Sequence, residues 1–421
     1  MQVLKHFENI TKIPHCSFEA QKLKDYIINY AKEQGCEVLC DEAENILCKK
    51  GKPNLCLQSH YDMVCVGNAP DIKIINEDGF IKADNSTLGA DNGIGLCIML
   101  EALNKFNNIE CLFTANEEVG LLGANNLNLD ISSTNLLNID SENENYVIIG
   151  CAASLMLKVS CKVKENKEKK KFLYEIQTKG YKGGHSGIDI IKNIPSAISD
   201  LALFLFKHNA RLISFNGGER TNSISVNAKA LFYCDEELHS NENFIINKLE
   251  YKDYKCFDDD FLAKLASFKQ GVLSYNQELQ IVKTSVNLAI VKQEGDEFHI
   301  EIFARSEDDK ELDEIFYKTK AHFLNYEVKL LSKDEPWQPI ANDFTKDVLK
   351  HLQEFVPNAK MTSIHAGLEC GVLMQKNPKL KCASIGPNIL NPHSIYERCE
   401  IKSIEKITNC VFNLIKSYKG E

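Results

Sequence analysis

Residues 92–115 read NGIGLCIMLEALNKFNNIECLFTA. The first part, NGIGLCIMLEALNKF, predicts a helix, and ECLFTA, from Glu110, predicts a buried strand. The same alternation extends outward in both directions. Upstream, FEAQKLKDYIINYAKEQG (18–35) sets Leu23, Tyr26, Ile27 and Tyr30 at i, i+3, i+4 and i+7 and stops at Gly35, a second helix. NLCLQSH (54–60) reads as a short buried strand, and LLNIDSE (136–142) as another. Strands alternating with helices predict an α/β fold with a mostly parallel sheet flanked by helices on both faces.

From about Cys151 the pattern becomes strand-rich, with the lysine-dense KVKENKEKKKF (162–172) at an expected hairpin tip on the solvated surface. After DEPWQP (334–339) the α/β pattern returns. NDFTKDVLKHLQEF predicts a helix, KMTSIH and KCASIG predict strands, and IKSIEKITNCVFNLIKSY predicts a closing amphipathic helix. The expected organisation is one discontinuous domain, residues 1–152 and 337–421, interrupted by an inserted α+β domain over 153–336.

The chain has 421 residues, enough for two to three domains. With 44% hydrophobic and 26% charged residues it resembles an average globular protein, which excludes disorder and collagen-like repeats. Lys and Arg (49) against Asp and Glu (59) leave a net charge of −10, without the electrostatic footprint of a nucleic-acid binder. No apolar run is long enough to span a membrane or to form a secretion signal near the start, so membrane partners are not expected. Sixteen cysteines are present, but none forms Cys-x-x-Cys, so zinc-ribbon and thioredoxin-like signatures are absent. Reduced thiols buried as small core residues, in a cytoplasmic protein, are the expectation.

Polar residues gather where such a sheet collects ligands, at the carboxyl ends of its strands. QSHYD supplies His60 and Asp62, LGADNGIG supplies Asp91 at a helix start, and NEEVG supplies Glu117 and Glu118. NIDSE ends at Asp140, and GPNILNPHSIYE presents His393. Singly, each has an ordinary explanation: a structural His–Asp pair, a solvated Glu pair, an N-cap, a turn. Together, so many carboxylates and imidazoles would repel one another without cations between them, and they form a ligand set for zinc or a similar divalent metal. Two such ions bring +4 against −3 from Asp91, Glu118 and Asp140, and one hydroxide neutralises the remainder. That is the charge state of a two-metal hydrolase.

These motifs in this order resemble the dinuclear zinc aminopeptidase/carboxypeptidase family. The resemblance runs from FENITKIPHCSFEAQKL through LQSHYDMV, LGADNGIGL, ANEEVGLLGA, NIDSE and KGGHSGIDI to IHAGLECGVL and SIGPNILNPHSIYE. KGGHSG and HAGLECG point to its dipeptidase branch. It implies a zinc-exopeptidase-like fold whose insert serves as lid or dimerisation domain, and therefore a possible homodimer. It implies two divalent metals per subunit, zinc first and manganese or cobalt as alternatives. His60, Asp91 and Asp140 would hold one ion, and Asp91, Glu118 and His393 the other. Asp62 would orient His60, and Glu117 would be the general base. The bond after Asp91 would be cis. His185 would stabilise the oxyanion, Asn222 and Arg305 would hold the substrate carboxylate, and His365 and Glu369 would line the substrate site. The implied activity is hydrolysis of unblocked dipeptides, Xaa-His among them. Aminotripeptidase or N-acyl amino acid deacylase activity on the same fold is the alternative, and a non-catalytic binding scaffold the alternative of another class.

Overall fold

The computed structural model describes residues 1–162, 164–168 and 170–418. They form two compact units. One runs from Met1 to Gly150 and returns over Pro339–Ser363 and from Leu368 onward. The other comprises Cys151–Gln338 together with Ile364–Gly367. That short excursion in HAGLECG is not anticipated by the sequence pattern.

The first unit is built on a sheet of β1 (Glu37–Cys40), β2 (Ile46–Lys50), β3 (Leu55–His60), β4 (Ile109–Thr114), β5 (Asn135–Asn138), β6 (Tyr146–Cys151), β7 (Lys360–Ile364) and β8 (Lys381–Ser384). Their spatial order is β1-β2-β4-β3-β5-β8-β6-β7. The pairing is parallel at the centre, where β3 lies between β4 and β5 and β8 joins β5. The pairs β1/β2, β2/β4 and β6/β8 are antiparallel. Every residue of β3 and β4 is buried, as expected of strands covered on both faces.

Helices α1 (Gln2–Ile10), α2 (Gln21–Glu33), α3 (Ala90–Lys105), α4 (Asp343–Gln353), α5 (Glu369–Lys376) and α6 (Ile401–Ser417) belong to this unit. Amphipathic α1, α2 and α6 contribute Val3, Phe7, Leu23, Ile27, Ile404 and Val411 to one apolar core. In contrast, α3 is buried on all sides from Ala90 to Leu103 apart from Asp91. Gly95 lets it close on the end of β5, because a Cβ there would lie 2.5 Å from the Ile139 carbonyl oxygen.

The second unit carries a nine-stranded sheet in which the pairings run antiparallel. Strand Ala153–Lys162 shows period-two burial, with Ala153, Leu155, Leu157, Val159 and Cys161 inward. Helices Ala197–Lys207, Asp259–Ser267 and Asp309–His322 pack their apolar sides into the same core. The lysine-rich stretch does not close a hairpin. Ala153–Lys162 pairs with Glu297–Ser306 and Glu327–Lys333, whereas Phe172–Thr178 pairs elsewhere in the sheet. Between them, Glu165–Asn166 pairs with Cys256–Phe257, and Val163 and Lys169 lie outside the described residues.

Two cysteines also depart from expectation. Cys16 and Cys65 are joined in a disulfide with Cα atoms 5.6 Å apart, while the other cysteines are not disulfide-bonded, Cys40 alone among them exposed. The pairing follows from a bridge between Cys16 and Met63 that lays the α1–α2 connection beside the segment after β3. Forty-nine residues separate the two cysteines, so no local spacing signals it.

Candidate metal centre

Five segments deliver the acidic and imidazole side chains to one place in the first unit. His60 is the last residue of β3, and Asp140 stands two residues beyond β5. Glu117 and Glu118 open a 3-10 turn just after β4. Asp91 lies in the first turn of α3 with non-helical dihedrals, followed by a cis peptide bond to Asn92, as the resemblance implies. His393 sits at φ +57° in the loop following Ile389–Leu390.

The two oxygens of Asp91 face different imidazoles. Oδ1 lies 3.3 Å from His60 Nε2, and Oδ2 lies 3.0 Å from His393 Nε2. His60 Nε2 is also 3.4 Å from Asp140 Oδ1, and His393 Nε2 is 3.0 Å from Glu118 Oε1. The trios His60/Asp91/Asp140 and Asp91/Glu118/His393 each bring their ligand atoms within 4.8 Å of one another, and so does His60/Glu117/Glu118.

The spacing itself tests whether metal ions fit. Donors bound tetrahedrally at about 2.0–2.1 Å stand about 3.3 Å apart. The measured separations cluster around that value. Hydrogen bonding alone leaves the set unsatisfied, since His393 Nε2 carries at most one proton yet faces two carboxylate oxygens. The buried Glu118 Oε1 has no hydrogen-bond donor of suitable geometry among the described residues. A cation between each trio resolves both deficits, so the donor set fits two divalent ions sharing Asp91.

The surroundings fix the donors. His60 Nδ1 donates to the main-chain carbonyl of Asp62 at 3.0 Å, leaving Nε2 bare toward Asp91 and Asp140. The Asp62 carboxylate stands farther off, at 3.6 Å. It instead accepts from the Glu117 amide (3.0 Å) and the Ser17 hydroxyl (2.7 Å). Thus the carbonyl of Asp62 sets the His60 tautomer, and its carboxylate holds the backbone of Glu117. Burial raises the Glu117 carboxyl well above the usual range, with Asp140, Glu118 and Glu369 adding to the shift against the pull of His60. Burial also raises Asp140, to about 6. Asp91 goes the other way: hydrogen bonds from His393 and His60 outweigh its desolvation and lower it.

Glu369 starts α5 and is fully buried in this unit. Its Oε2 accepts from Gln58 Nε2 at 2.5 Å and Thr114 Oγ1 at 2.8 Å, while Oε1 has no partner among the described residues. Burial raises its pKa to about 7. Two further residues were not signalled by the sequence. Asn92 donates its side-chain amide to Asp140, and Glu397 binds the backbone before α3. A carboxylate four residues beyond His393 in PHSIYE was the available sign of Glu397.

The remaining predicted residues lie in the second unit. His185 Nδ1 accepts the amides of Gly187 (3.3 Å) and Ile188 (3.1 Å), which places its proton on Nε2. Gly187 lies where three groups meet, since a Cβ there would stand 3.1 Å from both His185 Cε1 and Arg305 Nε and 2.3 Å from the His365 carbonyl oxygen. Arg305 is 7% exposed, and its Nε has no hydrogen-bond partner among the described residues. Burial lowers its pKa to about 10, which still leaves it cationic at neutral pH. His365 Nε2 pairs with Ser285 Oγ at 2.7 Å, and its Nδ1 is buried without a partner among the described residues. Burial, with Arg305 and His185 adding, lowers His365 to about 3, so it is neutral. Asn222 is exposed and joins this cluster through its carbonyl, which accepts the Ser186 amide at 2.9 Å.

Comparison with known proteins places this arrangement. The chain is 29% identical to the cytosol non-specific dipeptidase of Escherichia coli (strain K12), over 97% of this chain and 96% of that protein. It superposes on the aminoacylhistidine dipeptidase of Vibrio alginolyticus with a TM-score of 0.82 and 26% identity, covering 100% of this chain and 97% of the other. A Staphylococcus aureus tripeptidase shares the fold at 20% identity and a TM-score of 0.60, covering 99% and 98% of the two chains. The profile of Peptidase family M20/M25/M40 matches residues 56–417. The chain belongs to that peptidase family.

Proposed function

We propose that the protein hydrolyses unblocked dipeptides, Xaa-His and broader, with Glu117 as general base. One observation carries the reading: Asp91 presents its two oxygens to two imidazoles at ligand spacing, beside a half-buried glutamate that is not needed as a ligand to either trio. Bound there, two divalent metals, zinc first, with manganese or cobalt as substitutes, would polarise the scissile carbonyl and acidify the attacking water. His60, Asp91 and Asp140 would hold one, and Asp91, Glu118 and His393 the other.

Glu117 takes a proton as water adds to the carbonyl carbon, and returns it to the amine as the peptide bond breaks. Asp62 keeps Glu117 in place through its amide. His185, with its proton on Nε2, donates to the developing oxyanion. Arg305 offers a buried guanidinium for the substrate's carboxylate, with Asn222 and His365 beside it. Glu369 Oε1 is an acceptor for the free amine. The two relatives named as dipeptidases support a dipeptide over an acylated amino acid or tripeptide. Retention of Glu117 and of every ligand speaks against a non-catalytic scaffold. A cytoplasmic location follows the cytosolic relative, and the second unit is our candidate lid and homodimer surface.

The test is a substrate panel of dipeptides, tripeptides and N-acetyl amino acids, run with wild type and Glu117→Ala. We expect dipeptides to be preferred and the variant to keep its metal while kcat falls about 100- to 10,000-fold. Preference for another class would overturn the substrate assignment, and an active variant the mechanism.

A further inference from the structure

The backbone just before Asp91 is held by one buried carboxylate. Glu397 is 2% exposed, and its two oxygens accept four consecutive amides. Oε2 takes Leu88 (2.8 Å) and Gly89 (3.2 Å), and Oε1 takes Ala90 (2.8 Å) and Asp91 (3.4 Å). Gly89 at φ +70° turns the chain so that these N–H groups converge. They are donors that precede the first helical bond, from Gly93 to Gly89, and so have no partner within α3.

The other end of Glu397 is equally constrained. Its amide closes a turn on Ser394, and the next residues, Arg398–Glu400, pair with Phe80–Lys82. Four residues upstream in the same loop is His393, whose Nε2 lies 3.0 Å from Asp91 Oδ2. One carboxylate therefore ties the main chain carrying Asp91 to the loop carrying His393, two segments about three hundred residues apart. A neutral cap would satisfy one or two of these amides. A row of four on one anion fixes both the position and the rotation of the segment leading to Asp91.

We propose that Glu397 is a positioning residue of the metal centre, setting the distance between the shared ligand Asp91 and His393. The inference rests on the assignment of those two residues as metal ligands. Its consequence is that Glu397 governs metal affinity and the competence of the loaded site without touching metal or substrate. Glu397→Gln keeps the shape but turns an NH2 group toward amides that need an acceptor.

The experiment titrates zinc into wild type and E397Q against a chromophoric chelator. Amide exchange over residues 86–93 is followed with and without zinc, the melting temperature of the metal-free form is measured, and kcat and KM are determined at zinc saturation. We expect zinc affinity at the weaker site to fall 10- to 100-fold. Exchange over 86–93 should accelerate even in the zinc-loaded protein, and kcat should fall at least tenfold with KM within threefold. A zinc affinity and a saturated kcat within threefold of wild type would overturn the proposal, whatever the melting temperature, because a mere helix cap would change stability alone. Glu397→Asp, one methylene shorter, is measured alongside. If E397Q does not fold, zinc binding weakened more than threefold in the Asp variant upholds the proposal, and wild-type affinity overturns it. Failure of wild type itself to bind zinc would instead sink the metal assignment.

Discussion

Single residues in this protein do more than their side-chain type announces. Asp62 was marked in the sequence as the partner that orients His60, yet the carbonyl does that work while the carboxylate anchors Glu117. Such a division is invisible to a motif, because His-x-Asp specifies a side chain and not which of its oxygens is used. Arg305 is the converse case. FARSEDD carries no signal of its own, and only the resemblance marks Arg305 for the substrate carboxylate, but the guanidinium is buried beside His365 and His185 and lacks an Nε partner among the described residues. In the proposed function, an anion that arrives with the substrate pairs with this buried cation. Arg305→Lys keeps the charge and loses the planar fork. We expect KM for dipeptides to rise about tenfold or more while KM for the matching dipeptide amides, which lack the carboxylate, stays within twofold. An equal change for acids and amides would remove Arg305 from carboxylate binding.

At the scale of elements, what could be read in sequence was whatever leaves a periodic trace. LCLQSH and IECLFT are short apolar runs ending in polar residues, and they form the central strands with His60 and the Glu117–Glu118 turn at their carboxyl ends. What leaves no such trace was missed. The lysine-rich stretch reads as a hairpin tip because charge and turn residues look alike, whereas its ends belong to strands that are not neighbours in the sheet. The Cys16–Cys65 bond and the Glu397 clamp join segments far apart in the chain, and long-range pairing has no periodicity. Helix α3 is the element on which the centre depends, as it carries Asp91 on a helix buried on all sides. Leu96 within it is fully buried. Leu96→Ala should cost about 2–5 kcal/mol of stability by denaturant unfolding. A loss below about 1 kcal/mol would mean that α3 is not packed as described.

For the whole molecule, the acidic balance of the sequence acquires a second meaning. Part of the net charge of −10 is not freely solvated surface but a largely enclosed cluster of Asp91, Glu117, Glu118 and Asp140, with Glu369 fully buried beside them, within one unit. A fold that concentrates carboxylates in this way is incomplete without cations. Binding that favours the folded over the unfolded chain also stabilises it by mass action. The function therefore stands or falls with metal stoichiometry. The most direct measurement is a titration of the metal-free protein with zinc, following cleavage of an unblocked Xaa-His dipeptide at each addition. The account predicts no turnover without metal and a rate that reaches its plateau at two equivalents per chain. Turnover by the metal-free protein, or a plateau reached at one equivalent and unchanged by the second, would contradict it.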